Sequence, residues 1–442
     1  MKRTLEAPSN VSSETYRVYC GRDKSLTHRA IMFASLAEGT STVLQPLLGA
    51  DCLSTLSCFQ ALGVKVDVIT DSPARVIITS MGSKHFTQPT RDLDCGNSGT
   101  TVRLILGILA AQKSLTFRLV GDESLSSRPM KRVVGPLRAM GASIEGPGDG
   151  NFLPLTVHGR DLRPVAHTID KASAQIKSSL LLAGLFCRGT THVELPKGSR
   201  DHTERVLQTM GAAIRTSTTD TLEVIDLAGP FVVKPMNVSI PVDPSSAAFF
   251  AGLGLLKSQG LIEMPEVLDN PTRTGFMNVL NRMSKGLQFI RSESQGFVEP
   301  VGLLSVKGGL PLFGTTIDES EVPTLVDEIP LLAVVAAFAK GPSLFRGLSE
   351  LRVKESDRLL LTAALLEAAG AVYEIRGDDL WIAGGLEAVK PFTFDPKGDH
   401  RLAMAAAIMA RRCKKPCCIL DSECVRVSFP NFYEALDAVN SF

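Results

Sequence analysis

Basic side chains recur in this chain where buried helices would open, and such groups bind anions. Asp23-Lys24-Ser25-Leu26-Thr27-His28-Arg29 sets Lys24 and Arg29 a little over one helical turn apart. Asn97-Ser98-Gly99-Thr100-Thr101-Val102-Arg103 places a glycine, which permits close backbone approach, among small hydroxyl residues and ahead of an arginine. Arg128 lies in Ser126-Ser127-Arg128-Pro129-Met130, where Pro129 suits the first turn of a helix. Ser173-Ala174-Gln175-Ile176-Lys177 offers hydroxyl, amide and ammonium groups, a set suited to a polyhydroxylated substrate. Lys354-Glu355-Ser356-Asp357-Arg358 holds Glu355, a candidate proton donor, among cations. Asp399-His400-Arg401 heads an otherwise apolar helix, and Asp327-Glu328 heads another. A carboxylate at Asp327 could cap that helix or accept a proton from a substrate hydroxyl.

Ordinary helix chemistry accounts for part of this. Ser245, Ser246 and Asp327 would serve as N-caps alone, and the charges of 354–358 fit a surface ion-pair set. Ser199-Arg200-Asp201-His202 reads by itself as a surface cap. Caps do not explain Lys24, Arg29, Arg103, Lys177 and Arg401, because a cation at a helix N-terminus opposes the dipole. Such a residue is tolerated best when an anion sits between it and the helix. The G-x-x-x-x-G-K-[ST] spacing of a nucleotide loop is absent. His28, His202 and His400 lack partners at metal-ligand spacing, so no metal is expected.

The elements that must position these groups form a sixfold repeat. Apolar segments begin near Lys24, Asn97, Ser173, Ser245, Asp327 and His400, at intervals of 73, 76, 72, 82 and 73 residues by subtraction. They are apolar nearly all round after the first turn, which predicts enclosed helices. A second, amphipathic helix follows each one, and Gly63, Gly141, Gly211, Gly286 and Gly370 fit left-handed caps after five of these. Short β-branched runs lie between, among them VKVDVIT, RVIITS, LTFRLV, LTVHG, THVEL, LEVID, FVVK, LLSVKG, WIAG and CCIL. The repeat therefore reads β-α-β-α-β-β. Three repeats would enclose their apolar helices with sheets outside, and six make two similar domains of α/β (α+β) class. The break falls within the proline-bearing stretch FVVKPMNVSIPVDP, giving 21–239 and 1–20 plus 240–442, with the strand-like leader returning to the second domain. If the helices of a domain are co-directional, their N-termini gather on one face, and two such faces make an anion site in an interdomain cleft.

Bulk properties narrow the alternatives. A chain of 442 residues exceeds one ordinary core. The net charge of +1 gives no global field for nucleic acid. Apolar runs such as 179–187 and 329–339 fall short of the roughly 18 residues of a membrane helix. The first residues lack an apolar signal core, so a soluble cytoplasmic protein with no membrane partner is expected. Nine cysteines, an odd number, argue against a closed disulfide framework, and 417–420 reads as a buried strand.

Taken in order, DKSLTHRA, CGNSGTTVR, GDESLSSRPM, SAQIKSSLLLAGL, SRDHTERVL, DPSSAAFF, VDEIPLLAV, RVKESDRL, GDHRLAMA and VSFPNF resemble the 5-enolpyruvylshikimate-3-phosphate (EPSP) synthase family over nearly the whole chain. The resemblance implies an inside-out α/β barrel in each domain and transfer of the enolpyruvyl group of phosphoenolpyruvate to shikimate 3-phosphate, by a monomer with no cofactor. It implies that phosphoenolpyruvate is held by Lys24, Arg128, Arg358 and Arg401, with Asn97, Gly99, Thr100 and Gln175 lining its site. Shikimate 3-phosphate would be held by Ser25, Arg29, Ser173, Ala174, Gln175, Ser199, Arg200, Asp327 and Lys354. Asp327 and Glu355 would move protons, with Lys24 assisting. Val427 stands where many members have a lysine, and a strand there would point Arg426 elsewhere; Glu350 stands where some have asparagine. A related transferase acting on UDP-N-acetylglucosamine carries a cysteine in the loop that here reads GDESLSSRP, which has none. A non-catalytic repeat scaffold would need no charges at buried helix starts.

Overall fold

The structure is a computed structural model describing residues 1–5, 8, 14–292 and 296–439. Six apolar helices lie where the repeat predicts. Pro244–Leu256, Ile329–Ala337 and His400–Ala410 are buried along their whole length. Lys24–Leu36, Gly99–Ala110 and Ala174–Gly184 are buried apart from first-turn positions. Their Leu, Ile, Ala and Phe side chains have no solvent-facing stripe to spare, so each must be surrounded. Six companion helices follow: Ala50–Ala61, Lys131–Ala139, His202–Thr209, Gly275–Met283, Arg358–Ala369 and Phe432–Ala438. Residues 440–442 of the last expected helix lie outside the described residues.

Each repeat builds a small sheet with one strand order. From residue 93 it runs Leu93–Asp94, Thr116–Val120, Leu155–His158, Ser143–Glu145. The first two strands are parallel and joined through the buried helix, as a parallel pair requires; the rest are antiparallel. The same order recurs from Ala166–Thr168 and from Thr316–Ile317. The first repeat borrows its opening strand from Asn237–Ser239, parallel to Glu38–Leu44. The fourth borrows Thr15–Arg17, parallel to Leu261–Leu268. The sixth sheet has three strands, with Arg3–Leu5 antiparallel to Cys417–Ile419. Both strands of the leader thus pair with strands from the second half of the chain.

The chain divides into two compact units. One is Asp23–Ile240 with Gln295–Glu299; the other is Met1–Arg22, Pro241–Ser294 and Pro300–Phe442. They are called the N-half and C-half units below. Within the N-half unit the helix Gly99–Ala110 packs on both Lys24–Leu36 and Ala174–Gly184. Within the C-half unit the three buried helices pack on one another in all pairs.

Several local expectations need correction. FVVK at 231–234 forms no strand; Pro230 and Pro235 flank it and cannot donate to a ladder. Gly63, Gly141, Gly211 and Gly370 are left-handed, with φ of 92°, 100°, 81° and 86°, but Gly286 is not. A Cβ on Gly286 would lie 2.4 Å from the Lys307 carbonyl oxygen, so that glycine serves close approach. Pro129 precedes the N-cap residue Met130 and is not inside the helix. The segment Ser422–Val427 is a 3-10 turn, and no strand geometry orients Arg426, which is exposed and paired with Glu423. All nine cysteines are free, and Cys417–Ile419 is a strand with both end residues buried. Among the described residues no helix is long and apolar enough to cross a membrane.

Candidate active site

The residues that escape burial on the N-half unit's three enclosed helices are Lys24, Ser25, Thr100, Ala174 and Gln175. All five belong to the predicted site. Everything deeper on those helices is packed.

Side-chain caps hold two of these first turns. Asp23 accepts from Leu26 N at 2.7 Å, and Ser98 accepts from Thr101 N at 3.1 Å. Ser173 makes no side-chain cap bond. Lys24 Nζ lies 3.1 Å from Asp51 Oδ2, on the neighbouring helix. Arg29 is buried and donates through Nε to Thr203 Oγ1 (2.8 Å), through Nη2 to Ser178 Oγ (2.8 Å) and through Nη1 to Ser25 O (3.0 Å). Burial pulls its pKa down to about 10. Arg128 donates through Nη2 to Asn97 Oδ1 (2.7 Å) and Ser124 Oγ (3.0 Å). Asn97 is oriented by its own donation to Asp122 Oδ2 at 2.7 Å. Among the described residues, no carboxylate lies within 4 Å of the Arg29 or Arg128 guanidinium. Both charges are fixed by neutral oxygens.

Arg103 links three predicted segments. Its Nη1 donates to Gln175 Oε1 at 2.8 Å and its Nη2 to Pro129 O at 3.4 Å, while Gln175 Nε2 donates to Thr100 Oγ1 at 3.3 Å. A Cβ on Gly99 would stand 3.0 Å from Arg103 Nη1 and 3.6 Å from Arg128 Nη1. Gly99 thus leaves room for two guanidiniums.

Lys177 and Ser199 differ from expectation. Lys177 is fully buried, its Nζ 2.5 Å from Glu204 Oε1 and 3.5 Å from Glu223 Oε2, so its charge is met inside the fold. Ser199 and His202 are buried and do not form a surface cap; His202 Nδ1 pairs with Glu299 Oε1 at 2.6 Å. Arg200 and Ser173 are partly exposed beside them.

In the C-half unit the centre is Arg358, whose side chain is 1% exposed. It donates through Nη1 to Asp327 Oδ1 (2.9 Å), through Nη2 to Glu355 Oε2 (2.6 Å) and through Nε to Asp399 Oδ2 (2.7 Å). Burial would lower its pKa, but Glu355, Asp399 and Asp327 outweigh that and raise it. One fork thus sets three carboxylates, a task its planar geometry suits. Arg401 Nη2 lies 3.5 Å from Asp327 Oδ2, and its Nη1 lies 3.8 Å from Glu328 Oε1. Burial pushes the Glu328 carboxyl up, with Arg401 opposing. Asp327 and Glu328 sit in a 3-10 turn, Val326–Glu328, ahead of the helix proper. Asp399 caps the last buried helix by accepting from Arg401 N at 3.0 Å. Lys354 Nζ is 2.5 Å from Glu350 Oε1, so a cation of the predicted site is paired within its own turn.

Sequence reasoning missed the internal counter-ions Asp51, Glu204, Glu223 and Glu299 and the buried pair Arg273–Asp243 (2.6 Å). Only Asp243 carried a signal, as the residue before a proline-led helix. Among the described residues no His, Cys, Asp and Glu group could hold a metal ion.

Residues 7–436 match the family EPSP synthase (3-phosphoshikimate 1-carboxyvinyltransferase). The chain is 42% identical over 418 residues to the 3-phosphoshikimate 1-carboxyvinyltransferase of Alkaliphilus metalliredigens, covering 94% of this chain and 95% of that one. It is also 42% identical over 435 residues to the same-named protein of Geobacillus thermodenitrificans, covering 98% of each. The solved EPSP synthase of Acinetobacter baumannii superposes with a TM-score of 0.88 at 35% identity, over 99% of this chain and 98% of that one. The enolpyruvyl transferase NikO of Streptomyces tendae shares the fold, with a TM-score of 0.74 at 16% identity over 99% and 97%. By these matches over nearly its whole length, the chain belongs to the EPSP synthase family of 3-phosphoshikimate 1-carboxyvinyltransferases.

Proposed function

We propose that this chain transfers the enolpyruvyl group of phosphoenolpyruvate to the 5-hydroxyl of shikimate 3-phosphate and releases phosphate. The observation that carries this reading is the pair Arg29 and Arg128, held by hydroxyl, amide and carbonyl oxygens with no carboxylate partner. A positioned cation that makes no close ion pair of its own favours an external anion, and both substrates are multiply charged.

Roles follow from the chemistry of each group. Lys24, Arg128, Arg358 and Arg401 hold phosphoenolpyruvate, with Asn97, Gly99, Thr100 and Gln175 lining its site. Ser25, Arg29, Ser173, Ala174, Gln175, Ser199, Arg200, Asp327 and Lys354 hold shikimate 3-phosphate. In the addition step the hydroxyl oxygen bonds to C2 of phosphoenolpyruvate, the hydroxyl proton leaves, and a proton adds to C3. In the elimination step the C–O bond to phosphate breaks and C3 loses a proton. Asp327 accepts and Glu355 donates in the addition, and Lys24 steadies the developing charge. Arg358 supports this pairing, since one guanidinium bonds both carboxylates. Asp327 is the drier of the two, with its side chain 10% exposed against 37% for Glu355. The reading also takes the protein to be a cytoplasmic monomer that uses no cofactor and binds neither nucleic acid nor membrane.

The test is phosphate release from phosphoenolpyruvate. Release with shikimate 3-phosphate, and none without it or with UDP-N-acetylglucosamine in its place, is the expected result. Release that ignores the acceptor, or that follows the nucleotide sugar, overturns the reading.

A further inference from the structure

We propose that Lys177, with Glu204 and Glu223, is a positioning residue for the shikimate 3-phosphate half of the site, acting through Ser199 and Arg29. The inference rests on the function proposed above. Lys177 touches no predicted ligand surface: its side chain is fully buried on the helix Ala174–Gly184. Its ammonium group meets three elements at once. Nζ donates to Ser199 Oγ, lies 2.5 Å from Glu204 Oε1 in the helix His202–Thr209, and lies 3.5 Å from Glu223 Oε2 in the strand Leu222–Gly229.

Glu223 in turn grips the turn that carries Ser199. Its Oε1 accepts from Gly198 N at 3.0 Å, and its Oε2 accepts from Ser199 Oγ at 3.0 Å. A hydroxyl has one proton to give. In this state Ser199 spends it on Glu223, while receiving one from Lys177. To bind a phosphate oxygen the hydroxyl must turn away from Glu223. That turn leaves no bare carboxylate, because Lys177 and the Gly198 N–H still serve Glu223. Without Lys177, Glu223 would keep the Ser199 proton, and phosphate would have to compete for it.

The adjacent residues carry the second effect. Ser178 follows Lys177 and Thr203 precedes Glu204, and these two hydroxyls, 2.7 Å apart, both accept from Arg29. The Lys177–Glu204 pair therefore sets the spacing of the two helices on which Arg29 rests.

A merely structural role predicts a different outcome, and paired variants separate the two. Lys177→Met alone strands the buried Glu204 and is expected to melt early. Lys177→Met combined with Glu204→Leu removes both charges, and replacing a buried pair by apolar groups is often neutral for stability. For the double variant we expect a Tm close to that of the parent. We expect KM for shikimate 3-phosphate to rise about tenfold, as loss of one hydrogen bond to a charged group would give. KM for phosphoenolpyruvate and kcat should change far less. Glu223→Gln, which keeps an acceptor but lowers its hold on the hydroxyl, should leave KM for shikimate 3-phosphate near or below the parent value. A double variant with restored Tm and unchanged KM for shikimate 3-phosphate overturns the inference while the function stands. A parent enzyme that shows no turnover with shikimate 3-phosphate overturns both.

Discussion

At the scale of single residues, the arginines of the predicted site are held in different ways. Arg29 and Arg128 in the N-half unit are tied by neutral oxygens, whereas Arg358 in the C-half unit is tied by three carboxylates. The fork of Arg358 is what allows one cation to reach Asp327, Glu355 and Asp399 together. A lysine keeps the charge but is a point donor on a flexible stem. Arg358→Lys should therefore lower kcat/KM by at least ~100-fold, about 2.7 kcal/mol of transition-state stabilisation. Steady-state kinetics with both substrates varied would check this, and near-parental kinetics would remove Arg358 from the site. His28 gives a pH-linked prediction. Its Nδ1 shares a hydrogen bond of 2.7 Å with Thr55 Oγ1, and burial lowers its pKa to about 3, with Asp51 opposing and Lys24 and Arg29 adding to the shift. The unfolded chain takes up a proton near pH 6.5 that the folded chain refuses until about pH 3. The stability tied to this group is thus complete above 6.5 and is lost as pH falls toward 3, at ~1.4 kcal/mol per unit. Thermal midpoints at pH 5, 6 and 7 should fall less steeply with acid in His28→Asn than in the parent. Identical slopes would show that His28 does not contribute.

At the scale of elements, glycines decide how closely buried helices approach. A Cβ on Gly107 would stand 2.0 Å from the carbonyl oxygen of Ser179, so the helices Gly99–Ala110 and Ala174–Gly184 meet backbone to backbone with no slack. A Cβ on Gly252 would meet only side chains, Leu331 Cδ1 at 2.8 Å and Val335 Cγ2 at 3.1 Å. Side chains can shift and a packed backbone cannot. Gly107→Ala should cost about 3 kcal/mol or more, and Gly252→Ala about 1 kcal/mol. Thermal melts of the two variants would rank them, and equal losses would contradict the packing argument. These helices were the most legible part of the chain, because a segment apolar on every face has one fate in a folded protein, and the first-turn exceptions Lys24, Ser25, Thr100 and Gln175 could be picked out by their polarity. The partners of the cations were not legible. Lys177 finds Glu204 and Glu223 only after 27 and 46 residues of chain, by subtraction, and no local pattern encodes which acid will face it. The same limit hid Asp51 beneath Lys24 and led Ser199 and His202 to read as surface. The two-residue strands Leu93–Asp94 and Thr316–Ile317 were also missed, since they are too short to show alternation.

At the scale of the whole molecule, the repeats are closed by strands taken from distant parts of the chain. The N-half unit completes its first sheet with Asn237–Ser239, reached at the end of its own continuous run. The C-half unit instead draws on the leader twice: Thr15–Arg17 lies along Leu261–Leu268, and Arg3–Leu5 lies along Cys417–Ile419. Leu5 and Val18 are buried in the apolar core of that unit. Removing residues 1–17 would leave two sheet edges unpaired and strip Leu5 from the core, while every strand of the N-half unit would keep its partners. The loss should therefore be confined. In hydrogen–deuterium exchange, amides of 261–263 and 417–419 should lose protection in the truncated chain, and those of 189–196 and 222–229 should keep it. Loss of protection in both halves together would mean that the two units do not hold their stability separately, and would end the view of the leader as a device of the second half alone.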